Sequence, residues 1–151
     1  MIIIIGFVIA VSYFLIKIWN LVKPLSIAVD EANSNVLVIL EKRTSILTKL
    51  NEVVNSYSTY ERDIVQKLST DMGPTADSLL TINRLYDAYP DLKLNSAFKN
   101  QVEKLYLVET EKQNYLNTFN YRVRQYNEAS TLFPNNLACR IFGFNLKPFF
   151  S

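Results

Sequence analysis

The chain has 151 residues, 49% of them hydrophobic, a net charge of +2 and no histidine. That length holds one domain plus an anchor, and so small a charge does not imply a nucleic-acid partner. Three glycines and five prolines argue against a loop-rich or all-β fold, and the single cysteine, Cys139, excludes an intrachain disulfide.

Residues 2–16 are apolar apart from Gly6, Ser12 and Tyr13, and Lys17, Trp19 and Lys23 mark the edge of the run. A span takes about 20 residues. Lys17 can snorkel outward while Ile18, Leu21 and Val22 lengthen the buried stretch, and Trp19 suits the interface. Residues 2–22 are therefore predicted to form one transmembrane helix, with residues 1–23 as the anchor. A cleaved signal peptide would show a basic n-region and a small-residue cleavage site, and neither stands here. Lys17 and Lys23 follow the span, so the positive-inside rule places the N-terminus outside and residues 24–151 in the cytoplasm, on the cell membrane.

Pro24 either starts a helix or kinks a continuous one. Beyond it a seam runs through Val29, Ala32, Val36, Ile39, Arg43, Ile46, Leu50, Val53, Tyr57, Tyr60 and Ile64. Its spacing alternates three and four, the coiled-coil pattern. The helix should run from about Leu25 to Ser69, roughly 65 Å, and end at Met72-Gly73-Pro74. A shorter helix is expected from Thr75 to Ala88, with Leu79, Ile82, Leu85, Tyr86 and Tyr89 on one side. Pro90-Asp91 breaks it, and Asn95 or Ser96 can cap the next helix. That helix runs to about Leu132, with a seam of Phe98, Val102, Leu105, Glu109, Lys112, Leu116, Phe119, Val123, Tyr126, Ser130 and Phe133. Pro134 stops it, and Asn135 or Asn136 can cap a last short helix ending near Gly143.

The expected fold is all-α: an N-terminal transmembrane helix, then an extended antiparallel bundle of three main helices plus a short C-terminal helix. Arg43, Glu109 and Lys112 are the charges at core positions. A buried charge must be paired, so either Arg43 pairs with Glu109 and sets the register, or the seam is wet there. The tyrosines fall mostly on the stripes, where packing explains them. Cys139 reads as a small apolar residue of the last helix. Phe142, Phe144, Phe149 and Phe150 fold back on the bundle, dip into the membrane interface, or dock on a partner.

Several chemistries lack their residues. Di-iron sites of bundles use Glu-x-x-His, and most zinc sites, histidine-ligated haem and Ser-His-Asp catalysis also need histidine. No glycine-rich phosphate loop occurs. Arg122 and Arg124 scatter around their helix with Tyr121 and Tyr126, which makes no basic stripe for RNA. No catalytic, cofactor or metal residues are assigned, and neither nucleic acid nor a small-molecule substrate is expected.

Several stretches together resemble the LemA family of bacterial membrane-anchored helical proteins. They are Tyr89-Pro90-Asp91-Leu92-Lys93, Phe133-Pro134, Asn136-Leu137-Ala138 and Phe142-Gly143-Phe144. In the first long helix Lys42-Arg43, Ile46, Leu47, Leu50, Tyr57 and Glu61 match the family pattern. Tyr60 stands where the family often has His, and Thr48 where many members have Pro. Glu109 matches a family Glu, Lys112 replaces an apolar position, and Phe119-Asn120 and Tyr126-Asn127 echo paired aromatic-Asn positions. The resemblance covers essentially the whole chain, and the C-terminal half carries most of its specificity.

It implies a single-pass, membrane-anchored bundle that acts as a scaffold or interaction protein, with no established reaction. Arg43, Glu109, Asn120, Asn127, Phe133, Pro134, Asn136, Phe142 and Phe144 are the expected structural or interaction residues, and Lys17, Trp19 and Lys23 the interfacial ones. The expected partners are the bilayer and further copies in a homo-oligomer. The alternative is an accessory subunit bound to a membrane enzyme, protease or transporter complex.

Overall fold

The computed structural model describes residues 1–57, 78–88 and 96–150. Four helices are seen among the described residues: α1 (Ile2–Tyr57), α2 (Ser78–Ala88), α3 (Ser96–Thr131) and α4 (Asn135–Phe142). No strand occurs among the described residues, so the fold is all-α, with α1 and α3 antiparallel. The expected end of the first long helix near Ser69, Tyr60 and Ile64 of its seam, and the Tyr-Pro-Asp turn lie outside the described residues.

α1 runs through Pro24 without a break. Proline removes the bond its N–H would give to the Asn20 carbonyl. Asn20 and Pro24 are both exposed, and the helix continues across the missing bond. The N-terminal part of α1 is long and apolar enough to cross a membrane, with a mean hydropathy of 2.4. Its side chains up to Ile16 face outward almost without exception. Ile18 and Val22, expected to lengthen the lipid-buried stretch, are buried by protein instead.

The helices build two compact units, residues 37–114 and residues 1–36 with 115–151. In the first, Ile39, Ile46, Leu47 and Leu50 of α1 meet Ile82 of α2 and Phe98, Val102, Leu105 and Val108 of α3. Tyr86 closes this core, its ring edge-on to Phe98 at 5.6 Å. Burying each such side chain stabilises the unit by about 1.5–3 kcal/mol. In the second, Ile18, Val22, Val29, Ala32 and Val36 of α1 are buried, as are Phe119, Val123 and Tyr126 of α3 and Ala138 and Cys139 of α4. The three-four spacing read along each seam therefore marks buried positions in both units. Phe133 departs from it and is 79% exposed. α3 ends at Thr131, so a helical period no longer places residue 133 on the inner face.

Candidate interaction site: a charged seam and a clasped tail

In the 37–114 unit the charges at core positions meet. Arg43 is 2% exposed, and its Nε donates to Glu109 Oε1 at 2.6 Å. Lys112, one turn beyond Glu109 on α3, pairs with the other carboxylate oxygen. Burial pushes the Glu109 carboxyl up, but the hydrogen bonds from Lys112 and Arg43 outweigh it and hold the group below its ordinary value. A second pair, Lys42 with Glu111 at 2.8 Å, lies outside the seam and is half-exposed. Beside it Ser45, Lys49 and Lys104 rim a shallow groove of about 390 Å³ floored by Ile46 and Val108.

The other unit closes by different means. After α4, Gly143 adopts φ 72°, and Phe144 N–H donates to Cys139 O at 2.9 Å, the six-to-one bond that ends a helix in a tight reversal. A residue with a Cβ resists that φ, which is why glycine stands here. The reversal sets Phe144 and Phe142 against Trp19, with ring centroids 5.2 and 5.0 Å away. Lys23, one turn further along α1, lies over the Trp19 ring with its Nζ 6.0 Å from the centroid.

From there the tail runs back along α3 and is held by two asparagines. Asn127 donates to Lys147 O and accepts from Lys147 N–H, both at 2.9 Å. Asn120 repeats the motif on Phe150, at 3.1 and 2.8 Å. Each amide sets an N–H donor beside its carbonyl acceptor, so it pairs with a residue's backbone as a neighbouring strand would. The spacing explains the match. Seven residues of helix rise about 10.5 Å, and three residues of extended chain span about 10 Å. Tyr126, buried between the two asparagines, donates its hydroxyl to Asn145 O at 2.9 Å. Burial pushes its phenol up. Lys147 completes the closure by pairing with Asp30 of α1 and lying 5.5 Å over the Tyr126 ring.

Not every expected residue joins these groups. Neither Asn135 nor Asn136 caps α4: its N-cap is Pro134, with no side-chain bond. Backbone carbonyls reach the first N–H groups instead, Leu132 O for Asn136 and Pro134 O for Leu137. Asn135 donates backward to Ala129 O at 2.9 Å, while Asn136 keeps its Oδ1 buried. Phe133 faces outward, away from both groups. Lys17 and Lys23 are exposed beside the apolar run, and Trp19 is partly covered by the tail. Reading by period missed Asp30, Lys147 and Asn145. The paired aromatic-Asn positions on α3 were the visible signal, and nothing local pointed to the tail residues they would hold.

No curated protein and no solved structure matches the chain. A family model described as the LemA family matches residues 70–151, which takes in Glu109, Lys112 and every member of the asparagine clasp but not Lys42 or Arg43. That match spans more than half of the sequence, and the chain belongs to the LemA family.

Proposed function

We propose that this protein is a membrane-anchored, non-catalytic structural protein that self-assembles or organises membrane-associated proteins. The observation that carries the reading is α1, a single helix in which an outward-facing apolar stretch leads into a buried seam. Such a helix ties a bundle to a bilayer without a linker. The polar groups that converge are structural in the same sense: Arg43 and Lys112 each bond to Glu109, and Asn120 and Asn127 bond to backbone. The family is not a known enzyme family. Leu37, Val38 and Leu107 leave apolar surface outside the core, available to further copies or partners. Lys17 and Lys23 follow the span, which favours an external N-terminus and a cytoplasmic bundle.

Within this reading the Arg43–Glu109 pair sets the register of α1 against α3. Arg43→Met should then allow several inter-helix cross-link patterns where the native chain gives one. A single, native cross-link pattern in the variant, with helix content and assembly unchanged, would remove that role. The proposal as a whole is tested by the mass and composition of the native complex extracted in mild detergent. A large particle of this chain alone supports it. A second protein at fixed ratio makes the chain an accessory subunit, and a bare monomer rules out self-assembly.

A further inference from the structure

The C-terminal turn carries a surface that neither the bundle nor the clasp uses. In α4, Ala138 and Cys139 face inward, while Leu137 and Ile141, four residues apart on one face, point out. Ile141 is 70% exposed, and Leu132 and Phe133, just before α4, are bare as well. Single exposed apolar residues are ordinary, but a cluster beside an apolar helix is a contact surface.

Its height along α1 is known. Trp19 lies about 26 Å along the helix from Ile2, close to the roughly 30 Å of a hydrocarbon core. Tryptophan at that level belongs to the interface. Phe142 and Phe144 touch Trp19, so α4 stands at the same level. Next to it a groove of about 310 Å³, lined by Ser12, Leu15, Ile16, Trp19 and Phe142, opens along the anchor.

Charge points the same way. Residues 1–29 and 129–151 contain no Asp or Glu, and they carry Lys17, Lys23, Arg140 and Lys147. Lys147 is engaged by Asp30, and Lys17, Lys23 and Arg140 are exposed. An acid-free, basic rim around an apolar face matches the anionic surface of a bilayer.

We infer that α4 is a second membrane contact. Its outward face, with Phe133, Leu137 and Ile141, rests in the interfacial layer of an anionic bilayer around Trp19, and acyl chains of that leaflet fill the groove beside Phe142. This rests on the anchored reading above, in which the apolar run of residues 2–16 lies in lipid and Lys17 snorkels to its edge. The chain then holds the bilayer at two points, through the span and through the turn that the clasp fastens to α3.

The test uses the full chain, Cys139→Ala, reconstituted into vesicles of phosphatidylcholine and phosphatidylglycerol. Nitroxide labels are placed on Ile9→Cys, Tyr121→Cys, Phe133→Cys and Ile141→Cys. The labels at 133 and 141 should favour oxygen over a water-soluble nickel relaxant, about 5–10 Å below the phosphates. They should move outward when phosphatidylglycerol is left out. The label at 121 should remain in water. If the label at 9 lies in lipid while those at 133 and 141 are as wet as 121, the inference is overturned and the anchor stands. Shielding of 133 and 141 from both relaxants, as under a second copy or a partner protein, overturns it too. A wet label at 9 overturns the anchored reading itself. Should the Cys139→Ala chain not fold, Phe133→Trp and Ile141→Trp in a Trp19→Phe chain, quenched by brominated lipids, give the same readings.

Discussion

The two units of this protein solve one problem in two ways. Both bring α1 against α3 along seams of three-four spacing. In the 37–114 unit the centre of the seam is ionic, with Arg43 and Lys112 on Glu109. In the other unit the seam stays neutral, and the polar groups lie one step outside it, as amides clasping the backbone of the tail. The ionic solution joins helix to helix and depends on protonation. The amide solution fastens a non-helical segment to a helix, and its four asparagine-backbone bonds contain no titrating group.

Removing one partner from each solution separates them. Glu109→Ala should have the largest effect, about 3 kcal/mol, because it takes the carboxylate away from a buried guanidinium. Amide exchange should rise across Phe98–Lys112 while the N–H groups of Lys147 and Phe150 remain protected. Acid should reproduce that asymmetry without a mutation. Glu109 has a depressed pKa, so its contribution is full above the ordinary value of about 4.3 and fades as pH falls through the lower folded one. Exchange measured down a pH series should loosen the 37–114 unit first. Equal loosening of the clasp N–H groups would mean that the two closures are not independent, or that the clasp leans on the Lys147–Asp30 pair.

Asn127→Ala comes next, at about 2 kcal/mol for two hydrogen bonds. It should expose the Lys147 N–H to exchange and the tail to proteolysis, with Phe98–Lys112 unchanged. Gly143→Ala should cost about 1 kcal/mol by forcing a Cβ into the left-handed region, read as a lower melting temperature with looser packing around Trp19. Lys42→Ala should cost under about 0.5 kcal/mol, since its pair with Glu111 is exposed and screened. A large effect there would mean that the surface pair belongs to the ionic centre.

Much of the fold could be read from residue spacing. Val29, Ala32, Val36, Ile39, Arg43, Ile46 and Leu50 are all buried, because a helix repeats its inward face on a fixed period and the apolar residues follow it. Prediction failed where that period stops. Phe133 lies past the end of α3, and the α4 cap went to backbone carbonyls that the local turn brought within reach. The pairing of Lys147 with Asp30 joins residues 117 apart and leaves no local pattern. The asparagines were visible on α3, but an amide can hold any extended backbone, so their sequence did not name the residues they hold.

The clasp also acts as a ruler. Seven residues on α3 are set against three in the tail, and between the two held positions stand Pro148, which has no N–H to satisfy, and Phe149, half in the open. The side chains there can vary at little cost, whereas adding or deleting one residue would shift one end by about 3.4 Å and release an asparagine from its partner. What this stretch must preserve over generations is therefore its count more than its spelling. Substitutions should accumulate between the two anchor points, and insertions and deletions should be confined to either side of them.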